Sequence, residues 1–179
     1  MAYKSVPQKG TIAGLIEDGY SQLEELGSEC DEAANNFPNS SHPKAEAFSE
    51  AASTLQGVSL PDLPEVDGMD GEVCYSAMVN KDKRKGPSRS VRCGNACTML
   101  TAAAEAIQDL IDGPLQERKD MLEEKYETAN DRGHSDEAQA AQDALDEVEK
   151  QVDDLTELKD QLESDANDCE GVEFPGLYG

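Results

Sequence analysis

The chain has 179 residues, with 39 Asp and Glu against 15 Lys and Arg, a formal net charge of −24, 4% aromatic residues and no tryptophan. Nucleic-acid binding by the bulk surface is excluded, because phosphates call for a basic footprint. No stretch approaches the ~20 consecutive apolar residues of a membrane span, and Met1 to Gly14 hold no apolar signal core, so the expected compartment is the cytoplasm. Hydrophobic residues make up 37%, below the usual roughly 45–50%. With this much charge that level would suggest disorder, but the apolar residues recur at helical spacing. The composition and periodicity together predict an elongated helical protein with a thin core.

From Thr11 to Phe37, apolar positions at Ile16, Gly19/Tyr20, Leu23, Leu26, Cys30, Ala33 and Phe37 step by three and four, which marks one helix face. Asn35, Asn36 and Pro38 end it. A second helix fits Pro43 to Gln56, capped by Ser41 or His42 and closed by Gly57. Residues 57–72 hold two prolines and three glycines without helical period, so they read as a linker or a proline-stiffened crossing. Val73 to Val79 fits a short strand or an extended segment; a strand there has no evident partner.

Asn80 to Ser90 is a basic loop. A helix follows from about Ser90 to Asp112, and Pro114 either starts a new helix or kinks a long one. The turn Asp131-Arg132-Gly133-His134 reverses the chain, and Ser135 is the expected cap of the last helix. That helix carries Ala138, Ala141, Leu145, Val148, Val152, Leu155, Leu162 and Ala166 at heptad-like spacing, interrupted at Lys159. An antiparallel coiled-coil hairpin with its partner surface extending back onto the 90–112 helix follows. The tail, Val172 to Gly179, is a docked end or a short binding peptide.

The expected fold is therefore all-α: an acidic helical hairpin (1–57), an extended linker and basic loop (58–89), a coiled-coil hairpin (90–171) and an apolar tail (172–179). Charge follows the same partition. Residues 1–71 carry 3 basic and 13 acidic groups, residues 72–98 carry 6 and 2, and residues 99–179 carry 6 and 24.

Catalytic machinery is sparse, and no enzyme, cofactor or metal is expected. The histidines, His42 and His134, fall in turns. Gly-rich phosphate loops and nucleophile elbows are missing from the sequence, and Asp67 to Glu72 lacks the twelve-residue register of a calcium loop. Cys93 and Cys97 share one helix face beside Arg89 and Arg92. They read as core thiols, half of a zinc site or a reactive pair. Five cysteines at irregular spacings form no disulfide framework.

Two charged features remain. The basic loop, Lys81, Lys83, Arg84, Lys85, Arg89 and Arg92, either docks against the protein's own acidic helices or contacts phosphate or an acidic partner. No aromatic residues interleave for base stacking. The acidic run is larger: Asp143, Asp146, Glu147, Glu149, Asp153, Asp154, Glu157, Asp160 and Glu163, offset by Lys150 and Lys159 alone. Carboxylates on successive turns lie about 5–6 Å apart, close to the phosphate spacing along a DNA strand. An ordinary coiled coil balances Glu with Lys, and self-repulsion at −24 destabilises the fold. Lys outnumbers Arg 10 to 5, which speaks against halophilic adaptation. The imbalance points to a basic protein partner, with no direct nucleic acid and no membrane; a homodimer through the coiled coil, or a scaffolding role in a virion or replication complex, is the alternative.

Two stretches, YSQLEELGSECDEAANNFPNSSHPKAEAFSEAASTLQ (20–56) and KDKRKGPSRSVRCGNACTMLTAAAEAI (81–107), resemble segments of acidic helical bacteriophage accessory proteins. The resemblance implies a phage-encoded protein of the host-cell cytoplasm without catalytic residues.

Overall fold

A computed structural model describes residues 3–38, 42–82 and 86–175. In chain order the elements are β1 (Tyr3–Thr11), α1 (Ile12–Asn35), α2 (Pro43–Gly57), β2 (Glu72–Asn80), α3 (Arg89–Leu110), a π-helical turn (Ile111–Leu115), α4 (Gln116–Asp131) and α5 (Ser135–Glu170). No helix of the described residues is long and apolar enough to cross a membrane.

The chain is mostly helical, as its periodicity predicts, but it is not all-α. β1 and β2 form an antiparallel two-stranded ribbon in register from Tyr3 opposite Asn80 to Thr11 opposite Glu72. β2 shows the period-two burial of a strand, with Val73, Tyr75, Ala77 and Val79 turned inward. Its partner escaped sequence reasoning because β1 is polar, carries Pro7 and two lysines, and turns only Tyr3, Val6 and Gly10 partly inward.

The helices form for the reasons read in the sequence. The Thr11 hydroxyl accepts from the Gly14 N–H at 3.1 Å and caps α1. His42 caps α2 through Nδ1, which accepts from the Lys44 N–H at 3.1 Å. The alternative cap, Ser41, lies outside the described residues. α1 packs on α2 and α3, and its Gly19 lets α3 come close: a Cβ there would sit 2.8 Å from Leu100 Cδ2. Phe48 and Leu55 of α2 are fully buried, which contributes about 1.5–3 kcal/mol each.

The helix that starts at Arg89 neither ends nor restarts at Pro114. It runs through Ile111–Leu115 as a π turn and continues as α4, so the missing Pro N–H is absorbed by a change of hydrogen-bond pattern. α4 ends in a Schellman turn. Gly133, at φ +71°, donates to the Asn130 carbonyl, and the His134 N–H donates to the Ala129 carbonyl at 2.9 Å. Ser135 is not the cap expected of it. His134 takes that position and Ser135 is already helical, because the chain leaves the Schellman turn directly into α5.

α5, 36 residues long, packs on α4 and then on α3. Its buried stripe is not broken at Lys159, because Leu158 fills that turn. Lys159 lies on the flank and pairs with Asp160 at 3.2 Å and Glu163 at 3.6 Å. One core unites α1, α2, α3 and the C-terminal half of α5. Residues 58–71 cross this body and anchor it with Val66 and Met69, whose carbonyl accepts from the Ala13 N–H at 3.2 Å. Val172 and Phe174 pack against the same core, so this part of the tail is a docked end. The rest of the expected peptide, residues 176–179, lies outside the described residues. Beyond Leu115 the α4–α5 hairpin keeps only a thin seam, including Ala129, Ala138, Ala141, Leu145 and Val148.

Candidate functional site

The stripe that buries α5 fixes where its charges go. Residues on the opposite flank must face water, and all nine carboxylates singled out in the sequence, from Asp143 to Glu163, are exposed. Asp143, Asp146, Asp153, Glu157 and Asp160 follow steps of three and four, with Lys150 in the same row, so they line one ridge opposite the seam. Some are held by neighbours on their own helix: Gln139 donates to Asp143 at 2.7 Å, and Gln142 donates to Asp146 at 2.8 Å. Glu149 pairs across the hairpin with Lys119 at 2.8 Å. Asp153, Asp154 and Glu157 have no cation partner among the described residues.

Beside that trio the crossing segment makes a groove of about 430 Å³, whose walls include Pro61, Asp62, Leu63, Asp154, Glu157 and Leu158. It joins an apolar floor to a rim of carboxylates. The last turn of α5 adds no basic residue, although the helix dipole favours cations there.

The basic segment is divided. Arg89 and Arg92 are half-buried and dock on α1. Arg89 Nε lies 3.2 Å from Glu29 Oε2, Arg92 reaches Glu29 at 2.5 Å and Glu25 at 3.2 Å, and the Arg89 guanidinium sits 5.3 Å above the Phe48 ring. The Arg92 guanidinium bonded to Glu29, with Arg89 beside it, holds that carboxyl below the usual carboxylate range. Lys81 is exposed. Lys83, Arg84 and Lys85 lie outside the described residues.

The cysteines are free thiols. Cys30, Cys93, Cys97 and Cys169 meet where α1, α3 and α5 join, all buried, while Cys74 on β2 is exposed. Burial pushes the Cys30 thiol up and the Cys169 thiol up to about 12. Among the described residues no group of three or more His, Cys, Asp or Glu is arranged to hold a metal ion. His42 stacks on Phe37 at 4.9 Å as well as capping α2. His134 stands beside Glu137, with Nδ1 3.3 Å from its carboxylate.

Two polar relationships are illegible in the sequence. The buried Tyr20 hydroxyl donates to Asp165 Oδ2 at 2.5 Å, joining α1 to α5. Asn95 on α3 holds the edge of β2 at Met78 with both ends of its carboxamide. Neither belongs to a local motif. Comparison with protein-family models, curated proteins and solved structures finds no match for the chain.

Proposed function

We propose that this chain is a non-enzymatic acidic binding protein that occupies a basic, nucleic-acid-binding surface of another protein, as an inhibitor or DNA mimic. The observation that carries this reading is the exposure of all nine carboxylates along one 36-residue helix. Arg89 and Arg92 are committed to Glu25 and Glu29 of α1, and among the described residues no cation pairs with Asp153, Asp154 or Glu157. A rigid helix presents charge at fixed spacing without the ordering cost of a flexible acidic tail. The groove beside Asp154 and Glu157 suits a Lys or Arg stem on its apolar floor with the cation at the rim. The resemblance to bacteriophage accessory proteins makes a host defence or nucleic-acid-binding protein, in the host cytoplasm, the partner to look for.

The test is capture from bacterial lysate on the immobilised chain, followed by competition. Duplex DNA should displace the captured partner, and about 0.5 M salt should weaken the complex strongly, because it shortens the Debye length to a few Å. A complex indifferent to both would overturn the reading. Neutralising Asp153, Asp154, Glu157 and Asp160 as amides should reduce capture while leaving the helical circular dichroism intact.

A further inference from the structure

Within one turn of α3, Cys93 and Cys97 flank Asn95, the residue that holds the ribbon. Cys93 and Cys97 stand four residues apart on one face of α3, and the Cys93 thiol lies 3.4 Å from the Cys169 carbonyl oxygen. Cys93 is sealed in the core, but Cys97 lies on the wall of a groove of about 480 Å³ between β2, α3 and the end of α5. A small solute therefore reaches this thiol pair from the groove, at Cys97. Asn95, between them, accepts from the Met78 N–H at 2.7 Å and donates to the Met78 carbonyl at 3.0 Å.

We propose that Cys93 and Cys97 form a redox switch, entered by a small hydroperoxide through the groove at Cys97, whose closure as a disulfide releases the β-ribbon from α3. This device is independent of the acidic surface of α5. Cys97 sulfur attacks one peroxide oxygen; the O–O bond breaks, the alkoxide or hydroxide leaves, and it takes up the proton shed by Cys97. Cys97 is then a sulfenic acid. Cys93 sulfur next attacks that sulfur as its own proton leaves; the S–O bond breaks and the hydroxide departs with that proton as water. Two thiols lose two electrons, and one hydroperoxide is reduced to an alcohol (or water) plus water.

The roles are asymmetric for a physical reason. Cys97 lines the groove, whereas Cys93 is sealed in the core, where its thiol neighbour and burial push it up. Geometry then couples chemistry to fold. Side chains four apart on a helix have Cβ atoms about 5–6 Å apart, whereas a disulfide needs roughly 3.5–4.5 Å. Closing the bond must therefore distort the turn that carries Asn95. Gly94 lies inside that turn with open space around its Cα, which gives the backbone room to move.

The test treats the full reduced chain with hydrogen peroxide and follows two readouts. Peptide mapping should find a Cys93–Cys97 disulfide, reversed by dithiothreitol. Hydrogen exchange at the Met78 amide should speed up by about tenfold or more on oxidation, and recover on reduction. With Cys93→Ser, dimedone should trap a sulfenic acid at Cys97; with Cys97→Ser, neither disulfide nor faster exchange should appear. If either variant fails to fold, the wild-type map and exchange decide alone. A disulfide involving Cys74, oxidation confined to Cys74, or a Cys93–Cys97 bond that leaves Met78 exchange unchanged would overturn the proposal.

Discussion

Asn95 acts on Met78 as a neighbouring strand would: its carboxamide accepts from the Met78 N–H at 2.7 Å and donates to the Met78 carbonyl at 3.0 Å. In an antiparallel pair, a residue whose backbone groups point away from the ladder sits in a non-hydrogen-bonded pair. Met78 and its partner Ser5 are such a pair, so a side chain on α3 closes an edge that would otherwise be open. Replacing Asn95 with Ala should cost about 1 kcal/mol of stability and deprotect the Met78 amide. Asn95→Asp keeps the acceptor but sets a carboxylate against the Met78 carbonyl, so it should be no better than Ala. Urea unfolding with residue-resolved exchange measures both.

The other edge of the ribbon is protected differently. Pro7 is two residues from Ser5 on β1 and shares its phase, so its nitrogen faces outward and the missing N–H costs no ladder bond. It also removes a donor that an incoming strand would need. Pro7→Val restores that donor with a good strand former, and sedimentation should then show stronger concentration-dependent self-association than the parent chain at the same protein concentration.

Tyr20 and Asp165 predict an alkaline limb of stability. Burial, and then the hydrogen bond to Asp165, push the Tyr20 hydroxyl far above its ordinary value near 10. Because the folded value is raised, its contribution is complete below the unfolded pKa and is lost as pH rises beyond it. The buried thiols of Cys30, Cys93 and Cys169 are raised too, so the decline should begin near pH 9, where unfolded thiols ionise, and steepen above about pH 10. Tyr20→Phe should lose about 1–2 kcal/mol at pH 7 and flatten the steeper part, which urea midpoints between pH 8 and 11 would resolve.

The helices were legible because each owes its position to nearby residues: Thr11 and His42 as caps, Pro43 at a first turn, Gly133 in a Schellman turn, and apolar steps of three and four. The ribbon was legible only on β2, whose inward Val73, Tyr75, Ala77 and Val79 alternate. β1 is recruited by a pairing 61 to 77 residues away, from Thr11 opposite Glu72 to Tyr3 opposite Asn80, which no local pattern announces. Gly113-Pro114 leaves a break and a kink both open from sequence; packing of Leu115 and α5 across it decides for a continuous helix with a π turn. The carboxylates of α5 were legible in placement, since burying one stripe dictates what faces water. The joining of Cys93, Asn95 and Met78 was not, because it depends on where two distant elements dock.

At the acid end, Glu29 predicts the opposite slope. Arg92, then Arg89, hold its carboxyl below the ordinary value, so its stabilisation is present above the unfolded pKa near 4.3 and is lost as pH falls through the folded value. Its side chain is 39% exposed, and solvent screening keeps the contribution to under about 1 kcal/mol. Glu29→Gln should therefore shift the acid-unfolding midpoint upward while changing stability at pH 7 only slightly.

The acidic ridge yields the prediction that separates a binding surface from a structural one. Asp153 stands four residues from both Glu149 and Glu157, and Glu157 three from both Asp154 and Asp160, so like charges crowd one stretch of α5. Each such pair destabilises a helix by about 0.2–0.5 kcal/mol, partly offset here by Lys150. The triple variant Asp153→Asn, Asp154→Asn, Glu157→Gln removes three charges from a chain at −24. Its Tm should rise by about 1–4 °C at low ionic strength, and the gain should vanish near 0.5 M salt, where the Debye length falls to roughly 4 Å. Groups that cost the fold stability are not there to support it, so a rise in Tm together with lost partner capture marks the ridge as a surface kept for binding. A fall in Tm at low salt would instead mean that these carboxylates stabilise α5, and the surplus charge would then no longer mark a binding surface.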